Sequence, residues 1–298
     1  MQWIEKCLSS LVADYCKSKI ICIDNGSADL TVSIIKNHFP SVHLLEATKN
    51  LGFGQANNIG LRLAINNKAD YVFLLNQDAW VEPDTIAELI KVQVRNPEYG
   101  VISPVHLNGA GDKMDSYFYK YLLESDVKPG CIFKNFHQGK ESLVINTAFV
   151  NAAAWLISMT CLKKTGGFDP IFFHYGEDRH YLQRTKYWGF KTGIYSGAKI
   201  YHDREVRISK ANVNTESKIK SEWVHFLDRA CNINYSGYLK FSIKRLARHQ
   251  LLLFKNLVLF NWSEVTYNAA MAKKIFFSLS KIRQSRILSA SQESPPHL

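Results

Sequence analysis

Tyr71-Val72-Phe73-Leu74-Leu75 is an unbroken apolar run that stops on Asn76-Gln77-Asp78. A short run of this kind fits a strand buried on both faces, with the polar residues marking its carboxyl end. The flanks repeat the theme. Upstream, Lys19 to Asp24 carries Ile20-Ile21-Cys22-Ile23 and ends in Asp24-Asn25-Gly26-Ser27, a buried strand entering a tight turn. Val42 to Ala47 and Val101-Ile102-Ser103 read as further strands. Ile4, Leu8 and Leu11 lie at helical spacing, and Leu30 to His38 and Gly54 to Asn66 read as helices. Pro83 suits the first turn of a helix running to about Arg95. Strands alternating with helices predict an α/β fold, a mostly parallel sheet sandwiched by helices.

Residues 106–142 show little period and read as a loop-rich insertion. Leu143 to Ser158 is β-rich, Asp178 to Trp188 helical, and Phe190 to Tyr201 strand-like. From about Ser217 the pattern is helical, and the last dozen residues, with Ser294-Pro295-Pro296-His297, read as frayed. The expected organisation is a catalytic domain over 1–214 and an α-helical extension over 215–298.

Composition narrows the class. Hydrophobic residues make up 46% and charged residues 21% of 298, which excludes a disordered chain. The formal charge of +11 favours anionic ligands, among them nucleotide phosphates and lipid headgroups, without choosing between them. Six scattered cysteines form no CxxC pair, so a disulfide framework or zinc site is not expected and a reduced, cytoplasmic setting is. The start, Met1-Gln2-Trp3-Ile4-Glu5-Lys6, lacks the apolar core of a signal peptide. Leu251 to Phe260, interrupted at Lys255-Asn256, is too short for a membrane span, which needs about 20 apolar residues.

In open α/β sheets ligands collect at the carboxyl ends of strands. Asp24 there can bind a base edge or a ribose hydroxyl, or it can simply make turn chemistry with Asn25-Gly26-Ser27. Asp78 can hold a divalent cation against a diphosphate. Helix capping explains it poorly, because the next helix starts several residues later. Glu177-Asp178 can be a general base with a second acid beside it, or helix-entry carboxylates. His202 follows a strand and becomes a ligand only if Asp78 binds metal, since imidazole plus carboxylate suits a transition metal such as Mn. Asn50 to Gly60 is glycine-rich and enters a helix, so its backbone could cradle phosphates.

Taken in order over residues 3–205, these segments resemble the family-2 glycosyltransferases of GT-A fold, in particular a bacterial rhamnosyltransferase-like branch. Asp24-Asn25-Gly26-Ser27 with Asp29 is similar to that family's nucleotide-contacting strand end. Asn50-Leu51-Gly52-Phe53-Gly54 through Asn58-Ile59-Gly60 is similar to its Asn-x-Gly-Phe…Asn-x-Gly signature. Asn76-Gln77-Asp78 stands at its Asp-x-Asp metal motif, with Asn in the first position. Gly166-Gly167-Phe168-Asp169-Pro170 with Glu177-Asp178 resembles its acceptor loop and catalytic pair, and His202 its late metal-ligating histidine.

The resemblance implies an inverting transfer of a sugar from a nucleotide-diphosphate donor to a hydroxyl of a glycan or lipid-linked glycan, in cell-surface polysaccharide synthesis. It implies Asp178 and Glu177 as catalytic. Asp24, Asn25, Asn50, Gly52, Asn58, Asn76 and Gln77 would contact the nucleotide, and Asp78 and His202 would hold Mn or Mg. Nucleic acid is not an expected partner. One departure stands out: the family begins with an apolar strand ending in Thr-Tyr-Asn ahead of the first helix, and that strand is missing here. A truncated chain, a start assigned too late and a catalytically degenerate binding protein are the three readings of that gap. From Lys240 onward ten Lys/Arg face two acids among apolar residues. That pattern fits either a helical cap with a solvated basic face or peripheral attachment to an anionic membrane surface.

Overall fold

The computed structural model describes residues 2–16, 18–123, 144–204, 214–291 and 295–298. Residues 124–142 of the expected insertion, with Cys131, lie outside these.

Eight strands and ten helices are described: α1 (Ile4–Val12), β1 (Ile21–Asp24), α2 (Thr31–His38), β2 (His43–Glu46), α3 (Phe53–Asn66), β3 (Tyr71–Leu75), β4 (Ala79–Val81), α4 (Thr85–Arg95), β5 (Tyr99–Asn108), α5 (Ser116–Leu123), β6 (Val144–Asn146), β7 (Ala154–Ser158), α6 (Met159–Thr165), α7 (Glu177–Tyr187), β8 (Lys191–His202), α8 (Thr215–Cys231), α9 (Tyr238–Val258) and α10 (Trp262–Ala290).

The strands form two sheets. β1 and β2 pair in parallel, and the larger sheet runs β3-β7-β5-β8-β4, with β6 also on β8. The parallel expectation holds for β1–β2 and β5–β8. The other pairings are antiparallel, so the larger sheet is mixed. The difference comes in part from β4 and β7, short strands that each follow another strand with no described helix between them as a crossover.

Alternation along the strands sorts the core. Val72 and Leu74, Trp155 and Ile157, and Val101 and Val105 face one side, where they pack with Leu61 of α3, Leu162 of α6 and Tyr181 of α7. Ile102 and Leu156 face the other, against Leu89 and Val92 of α4. This is the period-2 signature of a sheet covered on both faces.

Part of the expected loop is helical. Phe118 and Leu122 of α5, one helical turn apart, are buried in the main core. The chain end is not frayed either. Leu298 packs against the main core, and the Asn58 amide nitrogen donates to the His297 carbonyl at 3.1 Å. Helices α8 and α10 share a core with Phe172, built on Phe226, Leu227, Ile275 and Ile282.

Behind this core lies a buried polar group. Asp169 accepts from Ser285 Oγ and from the Ile171 amide. Its Oδ2 is 3.9 Å from His180 Nδ1 and 3.7 Å from His297 Nε2. Burial, with the Arg184 charge, holds His297 down at about 4 and His180 at about 3. Both folded values lie below the ordinary 6.5, so between pH 6.5 and about 4 the unfolded chain binds protons that the fold refuses. Each such histidine costs up to about 1.4 kcal/mol of stability per pH unit as pH falls. His297→Gln is therefore expected to flatten the fall of the urea-unfolding free energy between pH 6.5 and 4 by nearly one proton. An unchanged slope would remove His297 from the acid response.

Candidate active site

Four segments converge at the carboxyl ends of β1 and β3. At β1, Asp24 Oδ2 accepts from the Gly26 and Ser27 amides at 3.2 and 3.1 Å, so the turn chemistry is real. The same residue lines a large cleft between β1 and β3.

Asn25 and Asn50 brace the glycine loop. The Leu51 amide donates to Asn25 Oδ1 at 2.8 Å, the Gly52 amide to Asn50 Oδ1 at 2.8 Å, and Asn25 Nδ2 to Asn50 Oδ1 at 3.1 Å. Gly52 has φ +82°, and a Cβ there would stand 2.3 Å from the Phe173 carbonyl oxygen, so only glycine fits. Asn25, Asn50, Gly52, Asn76 and Gln77 all line the cleft beside Asp24 and Asp78.

Asn58 does not. It is buried, its Nδ2 donates to the carbonyls of Phe168 and His297, and its Oδ1 accepts from the Phe168 amide at 2.7 Å. The expectation of a nucleotide contact is corrected: every polar atom of this side chain is committed to holding the Gly167-Phe168 loop and the chain end.

Asp78 and His202 come together. Pairing of β4 with β8 sets Ala79 opposite His202, and Asp78 Oδ1 lies 3.2 Å from His202 Nε2. Burial opposes ionisation of Asp78, but the hydrogen bond and charge of His202 outweigh it and hold the carboxyl below its ordinary value. Two donors about 2.1 Å from one ion, at right angles, stand about 3 Å apart, so this spacing suits a pair of neighbouring ligands. No cluster of three or more candidate ligands occurs among the described residues. The remaining positions would fall to diphosphate oxygens and water.

Arg204 complicates the pair. Its Nε donates to His202 Nδ1 at 3.3 Å, which puts the imidazole proton on Nε2, toward Asp78. A metal at Nε2 needs the opposite tautomer, so Arg204 must then turn fully to Asp115, whose Oδ2 is already 3.5 Å away. Sequence reading missed both residues; 89 positions separate them, and neither sits in a recognisable motif. Phe173, His174 and Lys220, which also line the cleft, were missed as well. Tyr175, at φ +71°, carries the backbone strain that often marks a working loop.

The acid pair opens α7. Gly176, at φ +91°, turns the chain into the helix and places Glu177 and Asp178 in its first turn. Glu177 is buried, and a Cβ on Gly54 would sit 3.8 Å from its own Cβ. Burial first, and then the Asp178 charge, raises Glu177 to about 7; its Oε2 has no hydrogen-bond partner among the described residues. Asp178 Oδ1 accepts from the Arg179 amide at 2.7 Å. Burial raises Asp178 too, against the pull of that amide and of the Arg179 charge. The two carboxyls thus have different surroundings, the usual way a pair is divided between roles.

Residues 1–156 match the model of glycosyl transferase family 2, just over half of the chain. The chain belongs to this family. The matched span holds Asp24, the Asn50 loop and Asp78, and stops short of Glu177, Asp178 and His202. Among curated proteins, the chain is 26% identical over 235 residues to glycosyltransferase GlyA of Streptococcus pneumoniae, covering 76% of this chain but only 31% of that protein. It therefore spans about a third of that relative's length. It is 22% identical over 278 residues to the N-acetylglucosaminyl-diphospho-decaprenol L-rhamnosyltransferase of Mycobacterium tuberculosis, covering 86% of this chain and 88% of the other.

Solved structures extend the likeness to the whole chain. The mannosyltransferase PcManGT of Pyrobaculum calidifontis, in complex with GDP-Man and Mn2+, superposes with a TM-score of 0.53 at 17% identity, covering 97% of this chain and 80% of that one. Staphylococcus aureus TarS 1-349, in complex with UDP-GlcNAc, gives 0.53 at 15% identity, covering 97% and 85%. At these identities the likeness shows the fold, and the family-2 chain has the GT-A architecture with its C-terminal helices.

Proposed function

We propose that this chain is an inverting, metal-assisted glycosyltransferase that moves a sugar, rhamnose or a hexose, from a nucleoside-diphosphate donor to a hydroxyl of a lipid-linked glycan, in building cell-surface polysaccharide. The observation that carries the reading is the Asp78–His202 pair, 3.2 Å apart, with Asp78 lining the same cleft as Asp24 and Asn25. Asp78 and His202 would hold Mn or Mg, which would offset charge on the leaving diphosphate. Asp24, Asn25 and the Asn50–Gly52 loop take the nucleoside side.

Asp178 accepts the proton of the acceptor hydroxyl as its oxygen attacks the anomeric carbon. The bond to the diphosphate breaks on the opposite face, and the bonding pair leaves with the diphosphate. One displacement with no covalent intermediate inverts the anomeric centre, as in inverting hydrolases. The test incubates the full chain with dTDP-rhamnose or a UDP-hexose, Mn and a lipid-diphosphate acceptor, and reads the product linkage by NMR. A product with the donor's anomeric configuration would sink the mechanism. Nucleotide binding without transfer across donors would favour a degenerate binding protein.

A lipid-linked acceptor, such as the Mycobacterium relative's name states for that enzyme, calls for a station at the membrane. No helix among the described residues is long and apolar enough to cross one. The tip of the α9–α10 hairpin supports a surface mode. Phe254, Val258, Leu259, Phe260 and Trp262 are all exposed there, beside or on the helices that carry the ten basic residues counted from Lys240 onward. An apolar tip with basic neighbours suits insertion at the headgroup layer of an anionic membrane, where each basic residue adds roughly 1 kcal/mol. Flotation should recover the full chain with anionic vesicles at low salt and less at high salt. Phe254→Ser with Phe260→Ser and Trp262→Ser should abolish it. Equal recovery of the triple variant would make the tip irrelevant to attachment.

A further inference from the structure

Helix α5 turns one face to the core and keeps an aromatic face beside it. Phe118 and Leu122 are buried in the main core, while Tyr117 and Tyr121, also four residues apart, share the neighbouring face. Tyr117 is 53% exposed and Tyr121 is half-buried. Asp115 pins the start of the helix. Its Oδ1 accepts from the Phe118 amide at 2.8 Å, and its own amide donates to the His106 carbonyl of β5 at 2.9 Å. Two tyrosines on a helix tied to the sheet in this way form a surface ordered before any ligand arrives.

The two rings reach toward opposite ends of the proposed chemistry. The Tyr117 ring centroid lies 5.0 Å from the Arg204 guanidinium carbon, and Arg204 bonds His202 of the metal pair. The Tyr121 ring meets Phe149 edge to face, with centroids 4.9 Å apart at 87°. Phe149 in turn carries the Arg179 guanidinium over its ring at 4.2 Å. The Arg179 amide, together with the Ala152 amide, holds the Asp178 carboxylate. Tyr117 thus adjoins the metal pair through Arg204, and Tyr121 adjoins the proposed base through Phe149 and Arg179. The charges agree. Burial first, and then the Asp178 carboxylate, raises the Tyr121 phenol above its ordinary value, while Arg204 and Arg179 pull it down. All three charged groups act on one phenol, so it lies among them.

Neither tyrosine lines the large cleft that Asp24 and Asp78 line. The wall is therefore a second surface, joined to that cleft through Asp78, His202 and Arg204. A group that gives its proton to Asp178 while attacking a carbon bound to a metal-held diphosphate must rest against something bordering both. This wall borders both. Its chemistry also names the ligand. A pyranose presents C–H groups on its face and hydroxyls around its rim. Flat rings pack on the face, and phenol and guanidinium groups bond the rim. A lipid tail would need no hydroxyl partners, and a diphosphate would need no rings.

We propose that the Tyr117–Tyr121 face of α5, closed by Phe149, is the subsite for the acceptor's terminal sugar, which lies on the tyrosine rings with one hydroxyl turned to Asp178. The direction of that hydroxyl rests on the transfer reading; the binding of the sugar ring does not.

The test reads binding without turnover. The probes are short-chain lipid diphosphosugars carrying N-acetylglucosamine, glucose or galactose, added to the full chain with Mn and UDP or dTDP. Saturation-transfer NMR reports contact at the sugar ring protons, and titration gives the affinity. The unaltered chain should saturate the ring C–H protons of at least one probe. Tyr117→Ala and Tyr121→Ala should each weaken that probe about 10-fold, the scale of one lost aromatic contact. Tyr121→Phe, which keeps the ring, should stay within about threefold. Nucleoside-diphosphate affinity is the control and should stay within about twofold in all three. Unchanged probe affinity in both alanine variants overturns the proposal. Saturation confined to the lipid tail, or none with any probe, overturns it as well. Should Tyr121→Ala fail to fold, Tyr117→Ala at its exposed position decides. A chain that binds sugar on this wall and transfers nothing would sink the transfer reading alone.

Discussion

Asp178→Asn is expected to lower transfer about 100- to 10,000-fold, the cost of losing a general base. Nucleoside-diphosphate affinity, measured by calorimetry, should stay within about twofold, because the group acts on the acceptor and not on the donor. The surroundings of Asp178 suit the task, since burial raises its proton affinity from the carboxylate range toward working pH. Glu177→Gln is the control. Burial raises Glu177 to about 7, yet its side chain lies beside Gly54 of α3. If the Glu177 variant loses transfer and the Asp178 variant keeps it, the roles are reversed. Near wild-type transfer in both would remove the pair from the chemistry.

Asp78→Ala should weaken nucleoside-diphosphate binding in Mn on the order of 100-fold, because a carboxylate-held cation offsets several kcal/mol of diphosphate charge. Binding of Mn alone, followed by the loss of its free EPR signal, should weaken in parallel. This second readout separates a lost ligand from a lost step. Arg204→Ala is informative in the other direction: with the guanidinium gone from Nδ1, His202 is free to take the tautomer a metal requires, and Mn affinity should rise. Full transfer in excess chelator would end the metal role of Asp78 and His202.

The strand ends were legible because the chain changes abruptly there, from Ile20–Ile23 to Asp24-Asn25 and from Tyr71–Leu75 to Asn76-Gln77-Asp78. A buried strand must become polar where it leaves the core. Short β4 was not legible, since three residues carry no period, and its antiparallel pairing with β8 is what brings Asp78 to His202. Helix α5 was hidden by Lys, Tyr and Gly around it, although Phe118 and Leu122 carried the spacing. Asn58 was misplaced because a motif tells residue type and order, not which side of a helix faces the ligand. Its partners are 110 and 239 positions away. The buried Asp169–His180–His297 group was invisible for the same reason: no local pattern encodes a contact between a loop and the last residues of the chain.

The Asn58 clasp has a consequence for how this protein is made. One side chain joins the first turns of α3, the loop before Asp169 and the carbonyl of His297, across 239 positions. On a ribosome adding residues from the amino end at about 5–20 per second, the early strands have many seconds to form before residue 297 emerges. The clasp, and with it the anchoring of the segment that leads to Glu177 and Asp178, closes late, after residue 297 has been made. The strand ends that carry Asp24 and Asp78 are made first, and the segment that carries Glu177 and Asp178 is locked last.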